Sequence, residues 1–317
     1  MNENTRRKNA SAVVTGFNPA WQKALFFSLF RPGEVNRADT VLHTAGGKGI
    51  HFLRAARIWG GLDGTVFQFA GGSTGKRITD ALEKEGLPFF TVPSEGETRT
   101  CTTVLCKKTC TMTELIEPSA PVSKNALDTM RAAIDSALEN ADALALCGTC
   151  PPGVPPEYYA LLASDARKRK RFVFADVFQN IRAALEDGVD LLKINQEELL
   201  ILSGEKDPES AFRSCFRRFR IGILAVTDGK NPAMISEGGE IRYLRVPAVE
   251  KPVNPIGCGD TCSGVMLAEL LAGAAPVKAF RNGLAAASAN CMTAAPAIYE
   301  KETALRFAAI LEKEEKE

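Results

Sequence analysis

The sequence predicts an α/β fold in which a mostly parallel sheet is covered by helices on both faces. Short apolar runs alternate along the chain with segments of helical periodicity, an order that is typical of a doubly wound sheet. Hydrophobic residues make up 45% of the chain and charged residues 24%, which is enough apolar material for a large buried core. A chain of 317 residues can form one main domain with a small appendage.

The individual elements follow from the positions of the apolar runs. The predicted strands are residues 12–15, 64–70, 143–147, 172–175, 191–194 and 221–227. The predicted helices between them are residues 48–59, 74–85, 124–139, 157–169 and 196–203. Several of these helices follow Gly, Ser, Pro or Asn, as helix starts commonly do. Two segments rich in small residues, 257–272 and 276–293, predict long helices near the end of the chain.

Two regions lack the helix that this alternation requires. Residues 24–42 and 98–117 each predict a pair of strands, with turns at residues 31–33 and 107–108. Such insertions suit a small β-sheet lid over the main sheet. We therefore expect residues 1–317 to form one domain that carries this lid. Because an exposed sheet needs cover, we also expect the lid strands to pair two copies of the chain as a homodimer.

Charge and composition argue against several classes of partner. The 39 basic and 38 acidic residues leave a net charge of +1, so no overall field attracts nucleic acid or an acidic membrane. The first residues lack an apolar signal segment, and no stretch reaches the roughly 18 apolar residues of a membrane span, so we expect a cytoplasmic protein. Several of the nine cysteines lie in apolar runs, which predicts reduced thiols rather than a disulfide framework.

The strongest local signal is a glycine turn that leads directly into an apolar helix, at residues 254–264. The first turn of a helix has backbone N–H groups without intrahelical partners, and these attract anions. The amides of Gly257, Cys258 and Gly259 are therefore candidates for holding a phosphoryl group during its transfer. Asp260 lies at the edge of this turn, where a carboxylate can accept a proton from an attacking hydroxyl. An ordinary Asp at a helix start is the alternative interpretation.

A second glycine cluster opens the helix predicted at residues 48–59. The amides of Gly46 and Gly47, together with the ammonium group of Lys48, are suited to bind the hydroxyls or the phosphate of a substrate. A dinucleotide fingerprint is the competing interpretation. However, Phe52 stands where the third glycine of that motif belongs, so the cluster does not predict a Rossmann cofactor site.

The cysteines and histidines suggest other chemistries that the sequence does not support. Cys147 and Cys150 have redox or zinc spacing, but no second Cys or His pair accompanies them at metal-site spacing. Cys258 and Cys262 are four residues apart, and small buried packing residues are the simpler interpretation. A serine hydrolase is not predicted, because the chain has no Gly-x-Ser-x-Gly elbow.

Six motifs occur in the order found in the pfkB sugar kinases, and they extend over nearly the whole chain. They are Gly46-Gly47-Lys48-Gly49, Gly96-Glu97-Thr98-Arg99-Thr100, Thr113-Glu114-Leu115-Ile116-Glu117-Pro118, Gly148-Thr149-Cys150-Pro151-Pro152-Gly153, Lys193-Ile194-Asn195-Gln196-Glu197-Glu198 and Gly257-Cys258-Gly259-Asp260. The chain thus resembles the ribokinase-like enzymes, which implies a three-layer α/β/α sandwich with a small β-sheet lid. The second and third of these motifs, taken together with residues 32–37, look most like the branch of 1-phosphofructokinase and tagatose-6-phosphate kinase.

The resemblance implies a reaction in which ATP, with Mg²⁺, phosphorylates a hydroxyl of a sugar that already carries a phosphate. Fructose 1-phosphate, fructose 6-phosphate and tagatose 6-phosphate are the acceptors that it suggests. It further implies that Arg99, Lys48 and Arg37 face the acceptor phosphate, a role that suits cationic side chains. Thr149 lies in the segment that matches the substrate loop of the family.

The nucleotide side of the site is also carried over from the resemblance. It implies that Asn195 and Glu198 organise Mg²⁺ and the nucleotide phosphates, with Glu198 binding the metal through water. From spacing alone, these two residues are a helix N-cap and its capping-box partner, and both roles can coexist. The remaining expected nucleotide contacts are Lys193, Thr227, Gly229 and Asn290.

Two residues depart from the family pattern on the sugar side. Gln22 stands where the branch has an Asp that holds sugar hydroxyls, and His51 stands where it usually has an Asn. We expect both to contact the acceptor, but an amide cannot replace the charge of a carboxylate, so the preferred sugar is left open. A kinase for an unphosphorylated sugar or a nucleoside is one alternative. A sugar- or nucleotide-binding regulator without turnover is the other.

Overall fold

The structure is a computed structural model that describes residues 9–314. Its strands are β1 Ala10–Thr15, β2 Ala20–Phe27, β3 Thr40–Gly46, β4 Leu62–Ala70, β5 Phe89–Pro93, β6 Thr100–Cys106, β7 Thr111–Ile116, β8 Ala143–Cys147, β9 Phe172–Asp176, β10 Val189–Asn195, β11 Ile221–Asp228, β12 Asn231–Ser236 and β13 Arg242–Leu244. Its helices are α1 Lys48–Trp59, α2 Gly72–Glu85, α3 Lys124–Leu138, α4 Tyr158–Lys168, α5 Arg182–Asp187, α6 Gln196–Ser203, α7 Pro208–Arg218, α8 Cys258–Leu271, α9 Pro276–Cys291 and α10 Lys301–Glu314.

The main sheet has nine strands in the order β13-β12-β11-β10-β9-β8-β1-β4-β5. It is parallel from β11 to β5, as the apolar runs predict, and β12 and β13 add an antiparallel edge. The sequence interpretation missed β5, β12 and β13. Pro93 and Pro232 lie in two of these strands, and proline weakens a strand signal because it cannot donate a backbone hydrogen bond.

Helices cover both faces of this sheet, which confirms the predicted three-layer sandwich. Along β8, Leu144 belongs to the same buried core as Met130 of α3, whereas the neighbouring Ala145 belongs to the core that contains Phe52 of α1. Successive strand residues point to opposite faces, so each strand supplies both cores. None of the helices in the described part of the chain is both long and apolar enough to cross a bilayer.

The lid is a second sheet of four strands in the order β3-β2-β6-β7. Strand β2 pairs with β3 antiparallel and with β6 parallel, and β7 closes the sheet as an antiparallel edge. The first strand pair extends over residues 20–46 rather than the 24–42 predicted, so Gln22 and Gly46 lie within the lid. The turns at residues 32–33 and 107–110 are where the sequence predicts them.

Close contact between α1 and α8 holds the two glycine turns of the site together. A Cβ atom on Gly264 of α8 would lie 2.2 Å from the carbonyl oxygen of Phe52 in α1. Similarly, a Cβ atom on Gly49 of α1 would lie 2.4 Å from the carbonyl oxygen of Thr15 in β1. Such distances are far inside van der Waals contact, so only glycine allows these backbones to approach one another.

We expect Gly264→Ala to destabilise the fold, because the added methyl group forces α1 and α8 apart. Overpacking of this kind costs about 1–3 kcal/mol, measured as a lower urea midpoint at an unchanged slope. Gly239→Ala is the matched control, since a Cβ atom there meets nothing within 4 Å. Equal midpoints for the two variants would show that the helix contact is looser than the structure indicates.

Candidate active site

A cavity of about 800 Å³ lies between the main sheet and the lid. The carboxyl ends of neighbouring parallel strands reach it through Cys147 of β8, Asn195 of β10 and Thr227 of β11, and the lid covers it with Gln22 and Glu114. Ligands of open α/β sheets bind at this edge, where the strands end. The cavity is therefore the candidate active site.

A helix N-terminus faces this cavity. Gly257, the residue before α8, has a φ of 76°, a left-handed conformation that glycine adopts without strain. The chain then enters the helix at Cys258, and residues 257–260 all line the cavity. The first backbone N–H groups of α8 thus open towards the space where an anion can sit. Asp260 lies in the same turn and is 8% exposed.

Asp260 is linked to the lid through His51. Nδ1 of His51 lies 2.9 Å from Oδ2 of Asp260, and Nε2 lies 3.0 Å from Oε1 of Gln22. The imidazole is 2% exposed, so it is held between these two side chains rather than in solvent. His51 therefore links Gln22, the other residue that departs from the family pattern, to the candidate base.

A buried group of charges lies beside the glycine turn. Oδ1 of Asp176 is 3.1 Å from Nζ of Lys48, and its Oδ2 accepts a hydrogen bond of 2.6 Å from the hydroxyl of Ser263. Nζ of Lys193 lies 3.8 Å from the same carboxylate and donates to the carbonyl oxygen of Gly259 at 3.0 Å. This group therefore ties β9 and β10 to the turn that precedes Asp260.

The charges of this group stabilise one another. Burial disfavours ionisation of Asp176, but the ammonium groups of Lys193 and Lys48 and the hydroxyl of Ser263 outweigh it and hold the pKa of this carboxyl below its ordinary value. Burial likewise disfavours the charge of Lys48, yet the surrounding carboxylates, Asp176 first, raise the pKa of Lys48 above its ordinary 10.5. Lys48 thus presents a permanent positive charge to the cavity.

Asn195 and Glu198 form a complete capping box at the start of α6. The side chain of Asn195 accepts from the N–H of Glu198 at 2.8 Å, and the side chain of Glu198 accepts from the N–H of Asn195 at 3.0 Å. Oε1 of Glu198 also lies 3.6 Å from Nζ of Lys48. The capping role is thereby confirmed, and the carboxylate stays at the cavity wall with 14% of its side chain exposed.

The end of the cavity nearest the lid holds an unsatisfied cation. One terminal nitrogen of Arg99 donates to the carbonyl oxygen of Asn18 at 3.0 Å, while its Nε is buried without a partner among the described residues. The side chain of Asn18 also donates to Oγ1 of Thr149 at 3.0 Å. Arg99 and Thr149 both line the cavity, so its wall carries a guanidinium group of the kind that binds an anionic acceptor.

Part of the cavity wall is apolar. Val246, Leu284 and Ala287 line the cavity together with Thr227 and Gly229. Apolar walls with a few polar groups suit a planar ring such as a nucleobase. The cavity wall thus combines cationic side chains, the amides of a helix N-terminus and apolar side chains.

Comparison with known proteins identifies the family. Residues 19–301 match the pfkB family carbohydrate kinases. The chain belongs to the pfkB family. An ATP-dependent 6-phosphofructokinase isozyme 2 from Mycobacterium tuberculosis is 27% identical to this kinase over 305 residues, which cover 93% of this chain and 88% of that protein.

Solved structures share the fold of this kinase. Phosphofructokinase-2 from Escherichia coli, solved in complex with substrates and products, has a TM-score of 0.84 at 23% identity, with coverage of 96% of this chain and 100% of that one. A Thermotoga maritima protein described as a possible 1-phosphofructokinase has a TM-score of 0.85 at 19% identity, with coverage of 94% and 97%. As a member of the family, this kinase is a phosphotransferase with an alcohol group as acceptor, and ATP is the donor that the family implies.

Most of the residues singled out in the sequence surround the cavity of the kinase. Its walls include Gln22, Gly47, Lys48, His51, Arg99, Thr149, Lys193, Asn195, Glu198, Thr227, Gly229, Gly257, Cys258, Gly259 and Asp260. Lys193 lies at the cavity wall, but its ammonium group pairs with Asp176 and donates a hydrogen bond to the carbonyl oxygen of Gly259. It therefore supports the glycine turn, and its direct contact with the nucleotide stays a prediction.

Three expected contacts do not reach the cavity. Arg37 is exposed in the loop between β2 and β3 and is not among the residues that line the cavity. Asn290 is fully buried, and its side chain donates to the carbonyl oxygen of Ile256 at 2.9 Å, so it fixes the turn from behind. Gly46 is covered by Gln22, because a Cβ atom on Gly46 would lie 2.3 Å from the amide carbon of Gln22.

The sequence interpretation missed Asp176 and Ser263. Asp176 is the last residue of β9, and an acidic residue at the carboxyl end of a buried parallel strand is the signal that could have identified it. Its partner Lys48 is 128 positions away in the chain, so no local spacing reveals the pair.

The thiols near the site are packed rather than arranged as a metal centre. Among the described residues, no group of three or more His, Cys, Asp or Glu side chains could hold a metal ion. The sulfur atoms of Cys258 and Cys291 are 3.0 Å apart. Their shared hydrogen bond, together with burial, raises the pKa of Cys258, and the same hydrogen bond lowers the pKa of Cys291.

Proposed function

We propose that this kinase transfers the γ-phosphoryl group of ATP to a hydroxyl of a phosphorylated hexose. The observation that carries the proposal is the position of Asp260, whose carboxylate shares the first turn of α8 with amides that can hold the transferring group. Arg99 and Lys48 supply two cations on the acceptor side of this turn. Fructose 6-phosphate, fructose 1-phosphate and tagatose 6-phosphate are the proposed acceptors, and the names of the relatives favour the fructose phosphates.

In the proposed reaction, Asp260 takes the proton from the acceptor hydroxyl as its oxygen attacks the γ-phosphorus atom. The amides of residues 257–260 bind the oxygens of the transferring group, where negative charge must be stabilised. Lys48 adds a fixed positive charge next to Glu198. The lid excludes water, which otherwise competes with the sugar for the phosphoryl group.

The residues at the centre of the cavity fit a magnesium ion bound with the nucleotide. Mg²⁺ is usually held by one or two carboxylates together with substrate phosphates and several waters. Glu198 supplies such a carboxylate at the cavity wall, and its hydrogen bond to the N–H of Asn195 fixes its orientation. When bound, the ion neutralises phosphate charge, and we propose that Glu198 contacts it through water.

The proposed function is tested by measuring ADP release from ATP and Mg²⁺ with a panel of acceptors. The panel contains the three hexose phosphates, the free hexoses and a set of nucleosides. We expect turnover that depends on a hexose phosphate. Preference for a free sugar or a nucleoside would contradict the phosphate requirement. Binding of ATP without turnover on any acceptor would instead support a regulatory protein.

Arg99→Ala tests the acceptor phosphate directly. Loss of a hydrogen bond to a charged group costs about 1.5–3 kcal/mol, so we expect KM for phosphorylated acceptors to rise about 10- to 100-fold, while KM for ATP is unchanged. Arg131→Ala is the control, because that residue pairs with Asp165 on the surface at 3.0 Å. An equal rise in KM for unphosphorylated acceptors would show that Arg99 does not recognise the phosphate.

We also propose that a second copy of the chain covers the lid. Strand β7 is an exposed edge, and Leu115 and Ile116 are more than half exposed there. Edge strands of this kind are commonly covered by pairing or packing. Sedimentation at micromolar concentration should give the mass of a dimer, and Leu115→Lys should weaken it. A monomeric wild type would contradict the proposal.

A further inference from the structure

His51 contacts both the candidate base and the lid. It lies on α1, and its two ring nitrogens point at side chains from two other elements, Asp260 of α8 and Gln22 of β2. The ring is 2% exposed, so neither contact is a surface encounter. A buried side chain with both polar atoms engaged fixes the relative positions of the groups that it touches.

The contact with Asp260 selects one oxygen of the carboxylate. An ionised carboxylate only accepts hydrogen bonds, so Nδ1 of His51 carries a hydrogen and donates it to Oδ2. This charge-assisted hydrogen bond fixes the rotation of the carboxyl group about its last bond. Oδ1 is then the oxygen that is left to accept the proton of the acceptor hydroxyl.

The contact with Gln22 selects which end of its amide faces the cavity. Oε1 of Gln22 lies 3.0 Å from Nε2 of His51, and the side chain packs closely over the backbone of Gly46. Because an amide oxygen only accepts hydrogen bonds, Nε2 is the donor in this contact. With Oε1 held, the NH₂ group of Gln22 is the part that faces the acceptor. An aspartate at this position would offer oxygen atoms only.

We propose that His51 is a positioning residue that aligns Asp260 for proton transfer and turns the Gln22 amide so that it donates to the acceptor. The proposal rests on the proposed function and extends it to acceptor selection. An acceptor that places an oxygen lone pair at Gln22, such as that of a carbonyl, a ring ether or a hydroxyl oxygen, is favoured. An acceptor that can only donate a hydrogen bond at Gln22 is disfavoured.

Two substitutions separate the two contacts. In His51→Asn, the amide nitrogen can take the place of Nδ1 and keep the hydrogen bond to Asp260, but nothing reaches Gln22. We expect kcat within about threefold of wild type and KM for the acceptor raised about 10-fold.

In His51→Gln, the longer side chain reaches the place of Nε2 and loses the contact with Asp260. There we expect kcat to fall about 10- to 100-fold with little change in KM.

Gln22→Met provides a test that leaves the buried ring in place. It removes the amide while nearly keeping the volume, so KM for the acceptor should rise as in His51→Asn and kcat should stay near wild type. The double variant His51→Asn, Gln22→Met should show no further rise in KM, because both changes remove the same contact. Additive effects in this cycle would overturn the Gln22 half of the proposal.

Wild-type turnover and ATP affinity distinguish this proposal from the proposed function. A wild type that binds ATP but phosphorylates no acceptor contradicts the proposed function. If the wild type turns over, and His51→Gln keeps the wild-type kcat while it binds ATP normally, the positioning role is overturned. Equal losses of kcat in His51→Asn and His51→Gln, with matching thermal midpoints, would likewise overturn it, because they would assign His51 a packing role only.

Discussion

Asp260→Asn should lower kcat by about 10²- to 10⁴-fold, the usual contribution of a general base. The asparagine amide has nearly the shape of the carboxylate, but it cannot accept a proton from the acceptor hydroxyl. The amides of Gly257 and Gly259 are unchanged, so affinity for ATP should stay within about threefold. Single-turnover ADP formation and direct ATP binding measure the two quantities separately.

Helix α8 also carries a carboxylate outside the cavity, which provides a matched control for this substitution. Glu269→Gln lies on the same helix α8, where its carboxylate accepts from the indole of Trp59 at 2.7 Å, away from the cavity. It should leave kcat unchanged. A kcat for Asp260→Asn close to that of the wild type would place the base elsewhere and would leave Asp260 as an ordinary residue at a helix start, the alternative that its sequence position allows.

Each part of the site that could be predicted from the sequence lies within one short segment of the chain. Residues 257–260 form a turn, a helix start and a carboxylate within one short segment, so their geometry follows from local rules. The capping box of Asn195 and Glu198 is local in the same way. Local backbone chemistry therefore indicates these features, and tertiary contacts from Lys193 and Asn290 support the glycine turn.

The parts that could not be predicted depend on packing between distant elements. Gln22 and His51 stand out in the sequence as departures from the family pattern, but their mutual contact follows from the register of the lid, in which Gln22 pairs with Thr44. Arg37 is the last residue of the matching segment 32–37, yet it is exposed in the loop between β2 and β3 and does not line the cavity. Asn290 has the expected place on α9, but its side chain turns inwards to Ile256. Sequence proximity therefore indicates which element a residue belongs to, and not which way its side chain points.

The lid boundaries show the same limit. Residues 20–23, Ala-Trp-Gln-Lys, mix large, polar and charged side chains, so the sequence gives no clear strand signal at the point where β2 begins. The ladder of β2 with β3 and β6 supplies the missing stability, because each neighbour adds backbone hydrogen bonds. Non-local pairing thus extends the strand beyond what local propensity predicts.

Asp176→Asn should destabilise the protein by about 3–5 kcal/mol, the cost typical of breaking a buried ion pair from one side. The change removes the charge but keeps the shape, so the nearby ammonium group of Lys193, which is almost fully buried, loses its carboxylate partner. Asp165→Asn is the matched control. Its partners Arg131 and Lys168 are 45% and 70% exposed, and exposed pairs contribute at most about 1 kcal/mol. Equal losses in urea unfolding would contradict the assignment of a buried charge group.

The difference in unfolding free energy between Asp176→Asn and the wild type should also depend on pH, and the direction of this dependence follows from the pKa of Asp176. The pKa of Asp176 is lower in the folded protein than its ordinary value of 3.8, so the carboxylate contributes its full stability above that value. That contribution is lost as the pH falls through the lower pKa of the folded state. The gap in unfolding free energy should therefore be largest near neutral pH and should narrow below about pH 4. A gap that stays constant into acid would mean that volume or hydrogen bonding, rather than charge, makes Asp176 important to the fold.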